Sequence, residues 1–576
     1  MVLEIEERAR SVGKISTVLQ NLRFSSTFDS GNLARVEWGG EINRSGQHLF
    51  RLWTAKDCEG EACEKRNSSW FHFSITRVGQ ADGWLDKVVV LRIMNMNVQR
   101  GLYKNGMTPC MKSAKGRWFR MRAKVEYLEC GNHLELQFPF KFPRGVDTVF
   151  FAFCYPHSYE DLLADLADRE QAARKAGAAV NPILTPTAGP AIYFHRELLA
   201  YSLEGRRLEM LTISDCTNIL EEREPHYGSE QIMFPHRSSG PLPFLRPHEF
   251  TNKPVVFVSA RVHPGETPAS FVMQGILEFL LRSDDPRAAE LRRNYVFKLI
   301  PMLNPDGVAR GHFRHDTRGQ NLNRFYTDPS PQLQPTIYAA KAVLEEHCSR
   351  PEGRAKLKVY LDLHAHATKR GCFAYGNHHD LLETQVDSQL LPLLMTVQSA
   401  HFCYSACNFS KQHMYRVDSG DAGLSAEGTG RVWCGMKGGV AHSFTLECNY
   451  NSSREISNHV PEVQGCKSGL ASPERKPAQP TRYSPNDWRE VGRGFLVACL
   501  DMEGLNPWSR LPNSKYRSVA RARRFISNEL RSNEYKVIVR GNGQSALTPP
   551  SYALCCSLFA LPLTLLLLCY LTRSKA

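Results

Sequence analysis

The sequence of 576 residues lacks the signatures of several common protein classes. No CxxC pair lies opposite a second CxxC or an HxxxH, so the 17 cysteines do not form a zinc finger. There is no glycine-rich loop ending in Gly-Lys-Ser or Gly-Lys-Thr, and hence no nucleotide site of that kind. HExxH is also missing, which excludes the thermolysin-type arrangement of metal ligands. The N-terminal stretch from Met1 to Lys14 is charged throughout and has no apolar core, so no secretory leader is expected. Reduced thiols in the cytosol or nucleus are the matching expectation. No internal repeat is present.

What is there is globular in composition: 42% hydrophobic and 23% charged residues, in a chain long enough for two or three domains. The net charge of +14 favours an acidic partner. Its distribution weakens that inference, because residues 506–576 hold 11 Lys+Arg against 2 Asp+Glu. Most of the excess therefore lies in a C-terminal tail, where Arg521, Arg523 and Arg524 cluster. That cluster suits an acidic polypeptide or anionic lipid, although a solvated run of charge is the commoner case. Tyr552 to Leu571 is twenty residues without a charge, long enough to cross a bilayer as a helix. It reads as a cytosol-facing tail anchor, a packed C-terminal helix, or a terminus without a role.

Residues 20–160 read as short strands separated by Gly, Asn and Pro, among them 70–75, 87–93, 134–138 and 149–153. This predicts an antiparallel β-sandwich. A helical stretch follows at 160–178, then a Pro/Gly/Thr-rich linker at 177–190. Beyond it strands and helices alternate. Strands are expected at 255–260, 295–300 and 357–363, and helices at 269–282, 336–347 and 488–502. That rhythm predicts an α/β domain with a largely buried mixed sheet. The expected organisation is an extension at 1–21, a β-sandwich at 22–168, a linker at 169–190 and an α/β catalytic domain at 191–508. A basic tail at 509–551 and the apolar segment at 552–571 complete the chain.

The chemistry concentrates at strand ends. The strand at 255–260 runs into Arg261-Val-His-Pro-Gly-Glu-Thr-Pro268, placing His263 and Glu266 on a loop that opens a helix. The strand at 357–363 ends in Asp362-Leu-His-Ala-His366. Two His, one Glu and an open position form a catalytic zinc pattern. Ligands from neighbouring strand ends suit the carboxyl edge of an α/β sheet. Glu447 lies in an apolar strand, His442 to Cys448, where burial favours a raised pKa and proton shuttling.

These segments occur with others in order: HPGE, NPDG at 304–307, NLNR at 321–324, DLHAH at 362–366 and FTLECNYN at 444–451. Together they resemble the zinc metallocarboxypeptidases, and within them the cytosolic carboxypeptidases. The N-terminal region is similar too, through FDSGNL at 28–33, NSSWFHF at 67–73 and FFAFCYPHSY at 150–159. The resemblance implies a mixed eight-stranded sheet flanked by helices behind the β-sandwich. It implies one zinc ion per chain held by His263, Glu266 and His364, with His366 on the pocket wall. Glu447 would be the general base and acid, and Arg314 would stabilise the oxyanion. Asn323 and Arg324 would hold the substrate's terminal carboxylate. Arg431 falls near the base of the side-chain pocket, with Lys437 as a competing candidate. Asn321 stands where many relatives carry an Asp that orients the first zinc histidine.

The implied activity is removal of glutamate from polyglutamylated proteins, chiefly tubulin, including glutamate joined at a branch point through a side-chain γ-carboxyl. Implied surroundings are the cytoplasm, the nucleus and microtubules. Two alternatives stay open: a zinc deacylase of small N-acyl amino acids, and a catalytically silent tubulin-binding scaffold.

Overall fold

The structure is a computed structural model that describes residues 14–42, 47–79, 81–84, 86–175, 192–235, 246–417, 423–454 and 480–541. The linker expected at 177–190 and the apolar segment at 552–571 lie outside the described residues. Among the described residues no helix is long and apolar enough to cross a membrane. Residues 1–527 form one compact unit. From 528 onward a second unit contains the rest of the last helix, Val519–Gly541.

Two sheets build the N-terminal part. One has six antiparallel strands and includes His72–Arg77 and Thr148–Ala152; the other has five and includes Gln47–Trp53, Val88–Met96 and His133–Phe140. The strand His133–Phe140 alternates buried and half-buried residues along its length, as a strand with one face on a core must. Aromatic side chains join the layers: Phe24 meets Phe50 at 4.9 Å, and Phe140 meets Phe151 at 4.8 Å between ring centres. The β-sandwich expectation holds, with one correction: Gln47–Trp53 runs parallel to Val88–Met96. The residues between them carry the chain back across the sandwich, through His72–Arg77 in the opposite sheet.

Among the described residues the α/β part is built on a mixed sheet of seven strands, where eight were expected. Beyond the edge strand Ile192–Tyr201 the described residues form a single bridge, Ala200 to Met233. The nearby segments Ile219–Arg223 and His248–Phe250 pair with each other as a separate ribbon instead. Four central strands are parallel: Val296–Ile300, Val255–Ala260, Leu357–His366 and His442–Asn449. All of Val255–Ala260 and Val296–Ile300 is buried, including Lys298, whose ammonium sits 2.6 Å from Glu224 and 3.0 Å from Thr212 Oγ1. Burial this complete demands that the cation be paired.

Helices cover both faces of the sheet. Pro268–Leu280 and Pro485–Met502 cross on one face at reciprocal glycines. A Cβ at Gly275 would fall 2.1 Å from Arg489 O, and one at Gly492 would fall 2.3 Å from Val272 O. Pro335–Ser349 covers the other face, its Ile337, Val343 and Leu344 buried with Phe257 and Tyr360.

Three expected boundaries move. Ser16–Leu19 pairs with Leu22–Ser25, so part of the extension at 1–21 belongs to the sandwich. Helix Tyr159–Lys175 runs through the boundary set at 168. Residues 509–527 pack as part of the first unit, because Leu511, Tyr516, Ala522 and Ile526 are buried; the i, i+4 spacing of the last two gives the helix an apolar face.

Three histidines carry a stability consequence. Burial pushes His72, His195 and His347 down to about 3 from the ordinary 6.5, with Lys112 beside His72 and Lys298 beside His195 adding to it. The unfolded chain takes up these protons near pH 6.5 and the folded chain only near pH 3, so unfolding binds protons between those limits. Stability is therefore expected to fall as pH drops from about 6.5 towards 3, by up to about 1.4 kcal/mol per pH unit for each histidine. Melting of chelator-treated protein at pH 7.5 and pH 5 checks this; equal midpoints would contradict it.

Candidate active site

The carboxyl ends of the parallel strands open into a cleft of about 450 Å³. His263, Glu266, Arg314, Asn323, Arg324, His364, Arg431 and Glu447 all line it, so these eight candidate site residues converge on one place.

His263 and Glu266 follow Val255–Ala260 on a tight loop. Arg261, at the strand's end, has a left-handed φ of 59° and is fully buried. Its guanidinium donates to Pro264 O at 3.0 Å, to Ser270 Oγ at 2.8 Å and to His157 O of the sandwich at 2.9 Å. An uncommon backbone angle at a functional loop is thus over-determined by a fork of hydrogen bonds. Burial lowers this arginine to about 10, still a cation at neutral pH.

Glu266 lies between two imidazoles. His263 Nδ1 is 2.8 Å from Oε1 and His364 Nδ1 is 2.9 Å from Oε2; Ala365 N also donates to Oε2 at 2.9 Å. The far nitrogens are committed elsewhere. His263 Nε2 lies 3.0 Å from Asn321 Oδ1, and His364 Nε2 lies 2.7 Å from Asp362 Oδ2. An acceptor on each Nε2 would keep the ring proton there when a metal takes the Nδ1 lone pair. Two imidazole nitrogens and a carboxylate, all within 4.8 Å of one another, could hold a metal ion, and this donor set suits zinc. Burial favours an uncharged Glu266, but the two histidines outweigh it and hold the carboxyl well below its usual range. Burial likewise opposes a proton on His364, yet Asp362 and Glu266 draw one there strongly. A cation is what this cluster of buried charge favours.

Glu447 comes from the neighbouring strand, its Cα in register with that of His364. Its Oε2 meets no hydrogen-bond partner. Burial pushes the carboxyl up to about 7; the charges of Glu266 and Asp362 add to this, while His364 and Arg314 oppose it. A carboxyl poised near neutrality and facing the metal position suits proton transfer.

Four arginines, Arg314, Arg324, Arg416 and Arg431, share the rest of the wall with amide, hydroxyl and aromatic side chains. Asn323 is buried, with Nδ2 3.3 Å from His364 Nε2 and Oδ1 accepting from Gly430 N at 3.3 Å. Arg324 Nη1 donates to the Asn323 carbonyl at 2.7 Å. Arg431 is fully buried; its Nη1 donates to Gly376 O at 2.5 Å and Asn377 Oδ1 at 2.6 Å. Lys437 is exposed beyond the helix Gly430–Met436 and does not line the cleft, which leaves Arg431 as the side-chain candidate. His366 forms part of the wall, its Nδ1 accepting from Lys369 N at 2.9 Å.

Among the lining residues that escaped the sequence reading are two basic ones, His413 in the short helix Lys411–Met414 and Arg416 just beyond it, with no motif to mark them. The role of Asp362 was missed as well, although the Asp-x-His spacing on a strand puts both side chains on one face.

Residues 193–454 match the zinc carboxypeptidase family, and residues 24–154 match the cytosolic carboxypeptidase N-terminal domain. The fold and site thus define a metallocarboxypeptidase, a peptide-bond hydrolase, and the chain belongs to the zinc carboxypeptidase family in its cytosolic branch. Mouse cytosolic carboxypeptidase-like protein 5 is 38% identical, over 92% of this chain and 69% of that protein. The human protein of that name is 38% identical over 89% of this chain and 67% of its own length. Human cytosolic carboxypeptidase 6 is 32% identical over 84% of this chain and 80% of that protein. The crystal structure of a metallo-carboxypeptidase from Burkholderia cenocepacia shares the fold, with a TM-score of 0.54 and 19% identity over 83% of this chain and 98% of that one.

Second contacts on the histidines should set metal affinity. Asp362→Asn is expected to weaken zinc retention about 10- to 100-fold. Asn321→Asp, with a more basic acceptor on His263, is expected to tighten it. Metal content after dialysis against graded chelator measures both; unchanged retention in Asp362→Asn would show that the aspartate does not tune the site.

Proposed function

We propose that the chain removes glutamate from polyglutamylated proteins, chiefly tubulin, including γ-linked glutamate at branch points, with one zinc ion held by His263, Glu266 and His364. The observation that carries this reading is the buried guanidinium of Arg431 in the wall of a cleft that also holds Arg314, Arg324 and Arg416. A desolvated cation favours a carboxylate over an apolar or basic side chain by charge and by its paired donors. Burial lowers Arg431 to about 10, with Tyr360 and Tyr375 opposing the fall, so it stays charged at working pH.

When bound, zinc would polarise the scissile carbonyl and lower the pKa of water. The remaining steps belong to the chain. Glu447 takes the proton of the attacking water and returns it to the leaving amine. Arg314 faces the oxyanion as charge develops. Asn323 and Arg324 hold the terminal carboxylate, and Arg431 holds the side-chain carboxylate of the departing residue. In a γ-linked branch the departing glutamate keeps the same two free carboxylates. What changes is the acyl side, where the scissile carbonyl belongs to a side-chain γ-carboxyl, so Asn323, Arg324 and Arg431 keep their roles and the open side of the cleft receives the branched main chain. Tubulin follows from the resemblance rather than from the cleft. Action in the cytosol accords with relatives named cytosolic carboxypeptidases, while action in the nucleus and on microtubules follows from the resemblance alone. No nucleotide takes part, and membrane contact through 552–571 is the alternative placement.

Purified protein with zinc is expected to release free glutamate from glutamylated tubulin and from linear and branched glutamyl peptides. Glu447→Gln should reduce turnover about 10²- to 10⁴-fold without unfolding the protein. Arg431→Ala should lower kcat/KM for glutamate-terminated peptides about 100-fold or more, and alanine-terminated peptides far less. Amino-acid analysis of the released residue gives the answer. Equal losses on both peptides would remove Arg431 from specificity, and turnover by folded Glu447→Gln would remove the base.

A further inference from the structure

The loop that carries Arg314 has little regular structure of its own. Between the helix Pro305–Arg310 and the turn Leu322–Arg324 it must find partners for its backbone elsewhere. Those partners come from the β-sandwich. Asp57 is fully buried, and its carboxylate accepts three consecutive amides: Phe313 N at 2.6 Å, Arg314 N at 2.9 Å and His315 N at 2.9 Å. His315 Nδ1 adds a fourth contact at 3.0 Å. On either side, Asn32 Nδ2 donates to Gly311 O at 2.9 Å and Cys58 Sγ lies 3.3 Å from Asp316 O. The far side of the loop is stitched to the metal loop by Gly265 N donating to Phe313 O at 2.8 Å. A Cβ at Gly265 would stand 2.6 Å from the Phe313 ring, so the two loops can approach this closely only with glycine there.

We propose that Asp57, from the N-terminal β-sandwich, is a positioning residue for catalysis: its carboxylate fixes the backbone of Phe313, Arg314 and His315 and thereby aims Arg314 at the oxyanion. This rests on the oxyanion role of Arg314 in the proposed function. A charge-assisted acceptor for three successive amides fixes the peptide planes on both sides of the Arg314 Cα, and so the direction its side chain leaves the loop. The sandwich is therefore part of the active site, although Asp57 does not itself line the cleft.

The test is a double-mutant cycle on the full chain with zinc, using a glutamate-terminated peptide. Arg314→Ala should lower kcat about 10²-fold with little change in KM. Asp57→Asn puts an amide N–H where a carboxylate oxygen faced backbone donors, and should lower kcat at least about tenfold, again with KM held. In the double variant the losses should not multiply: turnover per zinc-loaded site should match Arg314→Ala within about threefold. Losses that multiply, or an Asp57→Asn protein with wild-type turnover, would overturn the proposal. So would a defect confined to zinc content. Wild-type turnover in Arg314→Ala would overturn the oxyanion reading and the proposal with it. If Asp57→Asn fails to fold, His315→Gln, which removes one of the four contacts, goes through the same cycle. A smaller loss that vanishes in the Arg314→Ala background supports the proposal, and a multiplying or absent loss overturns it.

Discussion

A carboxylate held between two imidazoles is the constraint that the rest of the molecule serves. Glu266 meets Nδ1 of His263 and Nδ1 of His364, and all three residues are buried at the floor of the cleft. The two histidines belong to different parts of the chain, and only adjacency of the strands Val255–Ala260 and Leu357–His366 brings them together. Their register pairs Ser259 with Asp362 and allows Ser259 Oγ to hold Asp362 at 2.8 Å, which in turn orients His364. A slip of one residue would turn Asp362 and His364 together to the opposite face of the sheet. Burying such charge costs several kcal/mol unless partners satisfy it. The apolar sheet, the reciprocal glycines of the covering helices and the Arg261 fork provide the rigidity that keeps those partners in place.

The same cleft must hold cations for an acidic substrate and a carboxyl that retains proton affinity near neutrality. These demands conflict, since arginines lower a nearby carboxyl. At Glu447 burial and the two acidic neighbours prevail over His364 and Arg314. Arg431 is meanwhile tied to Gly376 O and Asn377 Oδ1, neutral acceptors that satisfy its donors without cancelling its charge. Selectivity and catalysis coexist because each charge is fixed by its own local contacts. The overall +14 has little part in this, since the excess is concentrated in the C-terminal tail.

Local features of the sequence were the legible ones. The all-apolar run Val255–Ala260 reads as a buried strand because nothing in it tolerates water, and the HPGE and DLHAH segments mark its end and its neighbour's. Those motifs brought His263, Glu266 and His364 into one site before any coordinates, and the FTLECNYN segment added Glu447 through the family resemblance. Long-range pairings were not legible. A parallel pairing of Gln47–Trp53 with Val88–Met96 leaves no local trace, because hydropathy alternates alike in either direction. The seventh-or-eighth strand question turned on whether residues near Met233 bridge an edge once or repeatedly, which composition does not encode. Ala522 and Ile526 stand in a basic tail, and nothing in the neighbouring sequence tells that the first unit buries them.

Asp57 shows why some functional residues stay hidden. Its partners are backbone amides, which every residue but proline presents, so nothing in the side chains at 313–315 announces the contact. The consequence reaches the domain boundary. The sandwich has its own aromatic core and reads as a separate domain by its strands, although Phe153 packs on Tyr450 at 5.2 Å and on Phe313 at 6.1 Å within one compact unit. The Arg314 loop forbids that division: it draws acceptors from Asp57 and donors from Asn32 while bonding the metal loop through Phe313 O. Removing the sandwich would leave three consecutive amides without their acceptor, each costing about 1–3 kcal/mol if it stayed buried. A loop in that position would rearrange to meet water, and its arginine would move with it. Strand order thus describes two layers of architecture, whereas packing and hydrogen bonding at the cleft join them into one catalytic unit.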